Sequence, residues 1–139
     1  MRFVLFGLLI VAFSLVSFQL IESKDQGIEF ESITFEQALL KAKKNNKLIF
    51  IDAYTEWCGP CKWMAKNSFM DNQVGQIYNL NFINVKFDME KGEGPEFAKL
   101  YSIKAYPTLL FVNGEGEVVK RVLGAQQSES LIKLAEELK

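Results

Sequence analysis

The chain has 139 residues and a formal net charge of −1, with twelve Phe, four Tyr and two Trp. That length suits one domain with a substantial core that folds without disulfide staples. Acidic and basic residues are interleaved, so no basic face points to nucleic acid. Histidine is absent, which excludes Ser-His-Asp and Cys-His hydrolase chemistry and removes the commonest metal ligand.

Arg2 is followed by an almost wholly apolar run from Phe3 to Leu20. A short basic start and a hydrophobic stretch have the form of a secretory signal, and the run is also long enough to span a bilayer if uncut. Residues 1–23 are therefore expected to be a signal peptide or an N-terminal membrane anchor, and residues 24–139 the folded domain. Either route places the domain outside the cytosol, periplasmic or held at the membrane facing the periplasm.

A short strand is expected at Ile28–Ser32. Thr34 then has the character of a helix N-cap, with Gln37 at the capping-box position. Phe35, Ala38, Leu39 and Ala42 share one helical face, and Asn45-Asn46 ends the helix. Leu48–Ile51 is a continuous apolar run, as in a strand buried on both faces, with Asp52 at its end. The cysteines follow, then a helix-like stretch whose pattern breaks over Asn67–Asn72. Asp71 is expected to cap another helix, Phe82–Phe87 to form a strand, and Pro95 to open a helix reaching Tyr101. A strand Thr108–Val112, a turn at Asn113-Gly114, a strand Glu117–Leu123 and a helix capped by Ser128 complete the chain. The alternation implies an α/β fold, a central mixed sheet with helices on both faces.

Trp57-Cys58-Gly59-Pro60-Cys61 holds both cysteines at a strand-to-helix junction. The thiolate is the nucleophile of disulfide exchange, and a helix N-terminus stabilises it. Cys58 sits just before the helix. Cys61 lies one turn on, within bridging distance. Pro60 falls in the first turn, where a missing N–H is harmless. A structural disulfide and a zinc site are the competing readings. A two-residue loop constrains the unfolded chain little, and Cys-x-x-Cys without histidine is half a zinc site.

The segment Tyr54–Lys62 resembles the active site of the thioredoxin family. The resemblance extends over residues 28–139 through Asp52, six residues before the first cysteine, Lys86, the Tyr106-Pro107-Thr108 segment, Asn113-Gly114 and Gly124. It implies a thioredoxin fold and a protein-disulfide oxidoreductase with a redox-active Cys58–Cys61 disulfide and no cofactor. In that frame Cys58 attacks, Cys61 resolves, Asp52 moves a proton, and Lys86 tunes Asp52. A cis bond at Pro107 brings the preceding backbone beside the cysteines, where it pairs with an extended substrate. Trp57, Gly59, Pro60, Tyr106, Pro107 and Gly124 would form the substrate groove, and Trp63 would pack or lie at the surface. Tyr106 stands where threonine or isoleucine is more usual. The implied partners are proteins with disulfides or thiols and a membrane or periplasmic redox partner, the enzyme itself being a monomer. The Gly-Pro central pair resembles that of reductants. A binding or chaperone module with incidental cysteines is the alternative.

Overall fold

A computed structural model describes residues 26–139. The expected signal or anchor in residues 1–23 lies outside the described residues, among which no helix is long and apolar enough to cross a membrane.

The elements are α1 (Phe35–Asn45), β1 (Leu48–Tyr54), α2 (Gly59–Lys66), a 3-10 turn (Ser68–Met70), α3 (Asn72–Asn81), β2 (Phe82–Asp88), α4 (Gly94–Leu100), β3 (Thr108–Val112), β4 (Val118–Leu123) and α5 (Ser128–Leu138). The four strands form one mixed sheet in the order β2-β1-β3-β4. β1 pairs parallel with β2 and antiparallel with β3, and β3 with β4 antiparallel.

Alternation along the strands divides the core in two. Ile49, Ile51 and Ala53 of β1 join Leu110 and Val112 of β3 under Ala38 and Ala42 of α1 and Phe97 of α4. Phe50, Leu109 and Phe111 face the other way, against Met64 of α2, Val74 and Tyr78 of α3, and Leu131 of α5. Helices therefore cover both faces, as expected. β1 is central and almost fully buried, so its C-terminal end delivers Asp52 into the interior on the α2 side.

Local chemistry accounts for the boundaries. Thr34 and Gln37 form the full capping box of α1, and Asn46 closes the helix in a left-handed conformation. Asp71 caps α3 by accepting from the backbone N–H groups of Gln73 and Val74. The break in pattern after α2 is the 3-10 turn.

Two expectations fail. Ser128 is the first residue of α5, and its N-cap is Gln127, with no side-chain cap bond. Ile28–Ser32 is extended but is not a strand. Its N–H groups are drawn to different elements: Ile28 donates to Phe69 O, Glu29 to Asn79 Oδ1, and Glu31 to Asn84 O. Only the last reaches β2, so no ladder forms.

The residues leading into this segment, Gln26 and Gly27, are seated by close backbone contact with Gly75. A Cβ on Gly75 would lie 2.1 Å from the Gln26 carbonyl oxygen and 2.6 Å from Gly27 backbone atoms. Gly75→Ala is accordingly expected to cost about 2 kcal/mol or more, read as a lowered midpoint in denaturant unfolding. An unchanged midpoint would show that the segment is not held there.

Candidate active site

β1 ends at Tyr54, and the chain turns through Thr55–Trp57 into α2. Cys58 is the N-cap of α2, and its sulfur accepts the Cys61 N–H at 3.2 Å. Pro60 lies in the first turn, as its missing donor permits. Cys58 and Cys61 are joined as a disulfide, with their Cα atoms 5.3 Å apart. Both are nearly buried, at 3% and 5% exposure.

Below the helix, Asp52 is buried, and its Oδ1 has no hydrogen-bond partner among the described residues. Burial pushes its pKa from 3.8 up to about 7, and the charge of Lys86 opposes this in part. Lys86 is the register partner of Asp52 across β1 and β2. Its exposed ammonium lies 5.4 Å from the centre of the Phe30 ring and 6.0 Å from that of Tyr54.

The Tyr106–Pro107 peptide is cis. The Pro107 carbonyl accepts the Gly124 N–H at 2.8 Å, which ties this segment to the end of β4. Gly124 has φ +81°, a conformation that suits glycine. Trp57 is 64% exposed and meets the Tyr106 ring edge-on at 5.8 Å, while its indole N–H donates to Glu90. Trp63 is partly exposed on α2.

The sequence-derived residues thus fall into two groups around one disulfide. Trp57 touches Tyr106 and Glu90, and Pro107 is bonded to Gly124, while Asp52 on β1 lies in register with Lys86 on β2. Gly59 and Pro60 lie in the first turn of α2 between Cys58 and Cys61. Sequence reasoning missed Glu90 and Thr55. The Thr55 hydroxyl is buried with no partner among the described residues, and the Thr55 carbonyl accepts the Cys58 N–H at 3.2 Å. It also missed a cleft of about 350 Å³ lined by Asp52, Thr55, Cys61, Lys86, Ile28 and Phe30 among others.

The family model for thioredoxin matches residues 27–137. The chain belongs to the thioredoxin family. With its Cys58–Cys61 disulfide this thioredoxin-family protein is a thiol–disulfide oxidoreductase. It is 30% identical to thioredoxin H1 of Arabidopsis thaliana over 105 residues, 76% of this chain and 86% of that protein. A solution structure from Bacteroides thetaiotaomicron, named as a candidate disulphide-isomerase, is 46% identical with a TM-score of 0.71. That match covers 84% of this chain and 98% of the other. A thioredoxin from Thermus thermophilus, at 22% identity, shares the fold with a TM-score of 0.70, over 81% and 87% of the two chains.

Proposed function

We propose that this protein exchanges its Cys58–Cys61 dithiol with the disulfides of other proteins outside the cytosol, acting as a reductant. The observation that carries the reading is the disulfide itself, formed at the first turn of α2.

In the reduced protein, Cys58 attacks one sulfur of the substrate disulfide. The substrate's other sulfur leaves as a thiolate, and a mixed disulfide forms on Cys58. Cys61 then attacks the Cys58 sulfur, and the second substrate thiolate departs. Before that step Cys61 must lose its proton. Asp52, with a pKa near 7, is matched to accept it at neutral pH. Lys86 favours the ionised carboxylate and so limits how far burial raises that pKa. The backbone at Tyr106–Pro107 receives the substrate as an added strand, between Trp57 and Gly124. Gly59 and Pro60 form the rim of the groove.

The Gly59-Pro60 pair supports the reducing direction by its resemblance to reducing thioredoxins. The apolar run after Arg2 supports export. In an oxidising compartment a reductant needs electrons from a membrane or periplasmic donor. The name of the Bacteroides relative favours a second reading, isomerisation, which uses the same attack by Cys58 without net electron transfer.

The test is capture. Cys61→Ser is expected to accumulate proteins bound to Cys58 through mixed disulfides in the native compartment, identified by mass spectrometry after acid quenching. Cys61→Ser that accumulates no more mixed-disulfide adducts than Cys58→Ser would sink the proposal. Net thiol release from captured partners separates reduction from isomerisation.

A further inference from the structure

β1 and β2 set Asp52 and Lys86 side by side in register, yet the two form no ion pair among the described residues. The Lys86 ammonium lies instead over two rings, 5.4 Å from the centre of Phe30 and 6.0 Å from that of Tyr54. A cation so placed is attracted by the negative face of each ring.

Both rings are fixed from outside this contact. Tyr54 ends β1 two residues after Asp52, on the same side of the strand. Phe30 comes from the extended segment before α1, and its ring meets those of Phe69 at 5.2 Å and Phe50 at 6.2 Å. On either side of it, the Ile28 N–H donates to Phe69 O and the Glu31 N–H donates to Asn84 O. Asn84 stands two residues before Lys86 on β2. The bond that keeps this segment beside β2 therefore also keeps Phe30 beside the lysine.

The neighbouring carboxylates are engaged elsewhere. Glu31, Glu56, Asp88 and Glu93 line the surface next to Lys86. Glu31 pairs with Lys41 and Glu56 with Lys91, each at 2.5 Å. Glu93 accepts the Phe35 N–H, and Asp88 accepts the Glu90 N–H and lies 4.0 Å from Lys91. Asp52 differs from these four, being buried, with no partner for its Oδ1 among the described residues. The other titratable groups lining its cleft are Tyr54 on β1, Glu56 in the turn after it, and Cys61 and Lys62 on α2. Cys61 does not titrate while the disulfide is intact.

We propose that Phe30 is a positioning residue for the proton transfer: with Tyr54 it holds the Lys86 ammonium on the rings and short of ion-pair contact with Asp52, leaving the carboxyl free to take and give a proton. The inference rests on the role given above to Asp52. An ammonium that closed on the carboxylate would fix it in its charged form and make it a poorer proton acceptor. Held on the rings, Lys86 acts from a distance and opposes the effect of burial only in part.

The test titrates Asp52 in the oxidised full chain by NMR of its carboxyl carbon. Phe30→Leu frees the ammonium and is expected to lower the Asp52 midpoint by about one pH unit, a tenfold loss of proton affinity. The side-chain proton signals of Lys86, displaced by the rings in wild type, should return toward ordinary lysine values. Phe30→Tyr keeps the ring and should titrate as wild type. Water admitted around the smaller leucine would lower the midpoint as well, but without needing Lys86, and the Lys86→Gln background separates the two causes. There Phe30→Leu is expected to move the midpoint by less than about 0.3 unit. In single-turnover thiol release from insulin, the pH profile of mixed-disulfide resolution should shift to lower pH in Phe30→Leu by the same amount as the titration. Circular dichroism checks that each variant is folded, and Tyr54→Leu carries the same expectation should Phe30→Leu not fold. A midpoint that stays or rises in a folded variant would overturn the inference, as would an equal fall with Lys86 absent. Failure of the wild type to resolve the mixed disulfide sinks the function proposed above instead, and the titration, made without substrate, is read separately.

Discussion

Cys58→Ser is expected to lower protein-disulfide reduction by at least about a thousandfold, equivalent to about 4 kcal/mol in the barrier. Serine keeps the shape and the N-cap acceptor, so α2 should form as before. What is lost is the nucleophile, because a serine hydroxyl at neutral pH supplies almost no anion, whereas a thiol at this helix start supplies a thiolate. The Cys61 N–H that points at Cys58 Sγ, and the first-turn position of Pro60, are features of a site built around an anionic sulfur. Cys61→Ser has a different signature. It should retain the first attack and stop at the mixed disulfide. The comparison is made by single-turnover thiol release from insulin. Residual reduction by Cys58→Ser within about tenfold of wild type would mean that Cys61 attacks proteins by itself.

Much of this arrangement was legible in the sequence, for reasons that can be located. β1, β2 and β3 are buried apolar runs bounded by turn residues, and the runs alone place them within a residue or three. Thr34 and Asp71 announce their helices because each cap is a local bond, made within three residues. Cys58 and Cys61 were legible from their spacing at a strand-to-helix junction, and Asp52 and Pro107 through the family resemblance. Ile28–Ser32 was misread because its composition is that of a strand, while its N–H groups are taken by Phe69, Asn79 and Asn84 on separate elements. Propensity gives no access to that competition. The cleft was invisible for the same reason. Its walls come from residues 28–30, 52–56, 61–70 and 86, and no local pattern joins them. The Trp57–Tyr106 contact likewise spans two loops.

Asp52→Asn should stabilise the fold and slow the enzyme, both in a pH-dependent way. The pKa of Asp52 rises from 3.8 to about 7 on folding because the carboxyl is taken out of water. The native state therefore holds a proton that the unfolded state has already released, and stability falls as pH rises between these values. Below about pH 4 both states are protonated and there is no cost. Above about pH 7 the full cost of burying the charge is present, on the order of 4 kcal/mol. Asparagine removes the charge but leaves a buried amide where Oδ1 has no partner, which returns roughly 1 kcal/mol. The variant is thus expected to be more stable than wild type by about 3 kcal/mol at pH 8 and less stable by about 1 kcal/mol at pH 4, measured by denaturant unfolding at both. A gain that does not change between these two conditions would show that Asp52 is not destabilised by its charge. The same substitution removes the group matched to take the Cys61 proton, and resolution of the mixed disulfide should slow by about a hundredfold near neutrality. The deficit should shrink at high pH, where Cys61 ionises without help. Lys86→Gln moves in the opposite sense on stability. It removes the charge that favours the carboxylate, so the native Asp52 should titrate still higher, and stability at pH 8 should fall. A stability gain at pH 8 together with slower resolution in Asp52→Asn would assign the cost of the buried carboxyl group to that one chemical step.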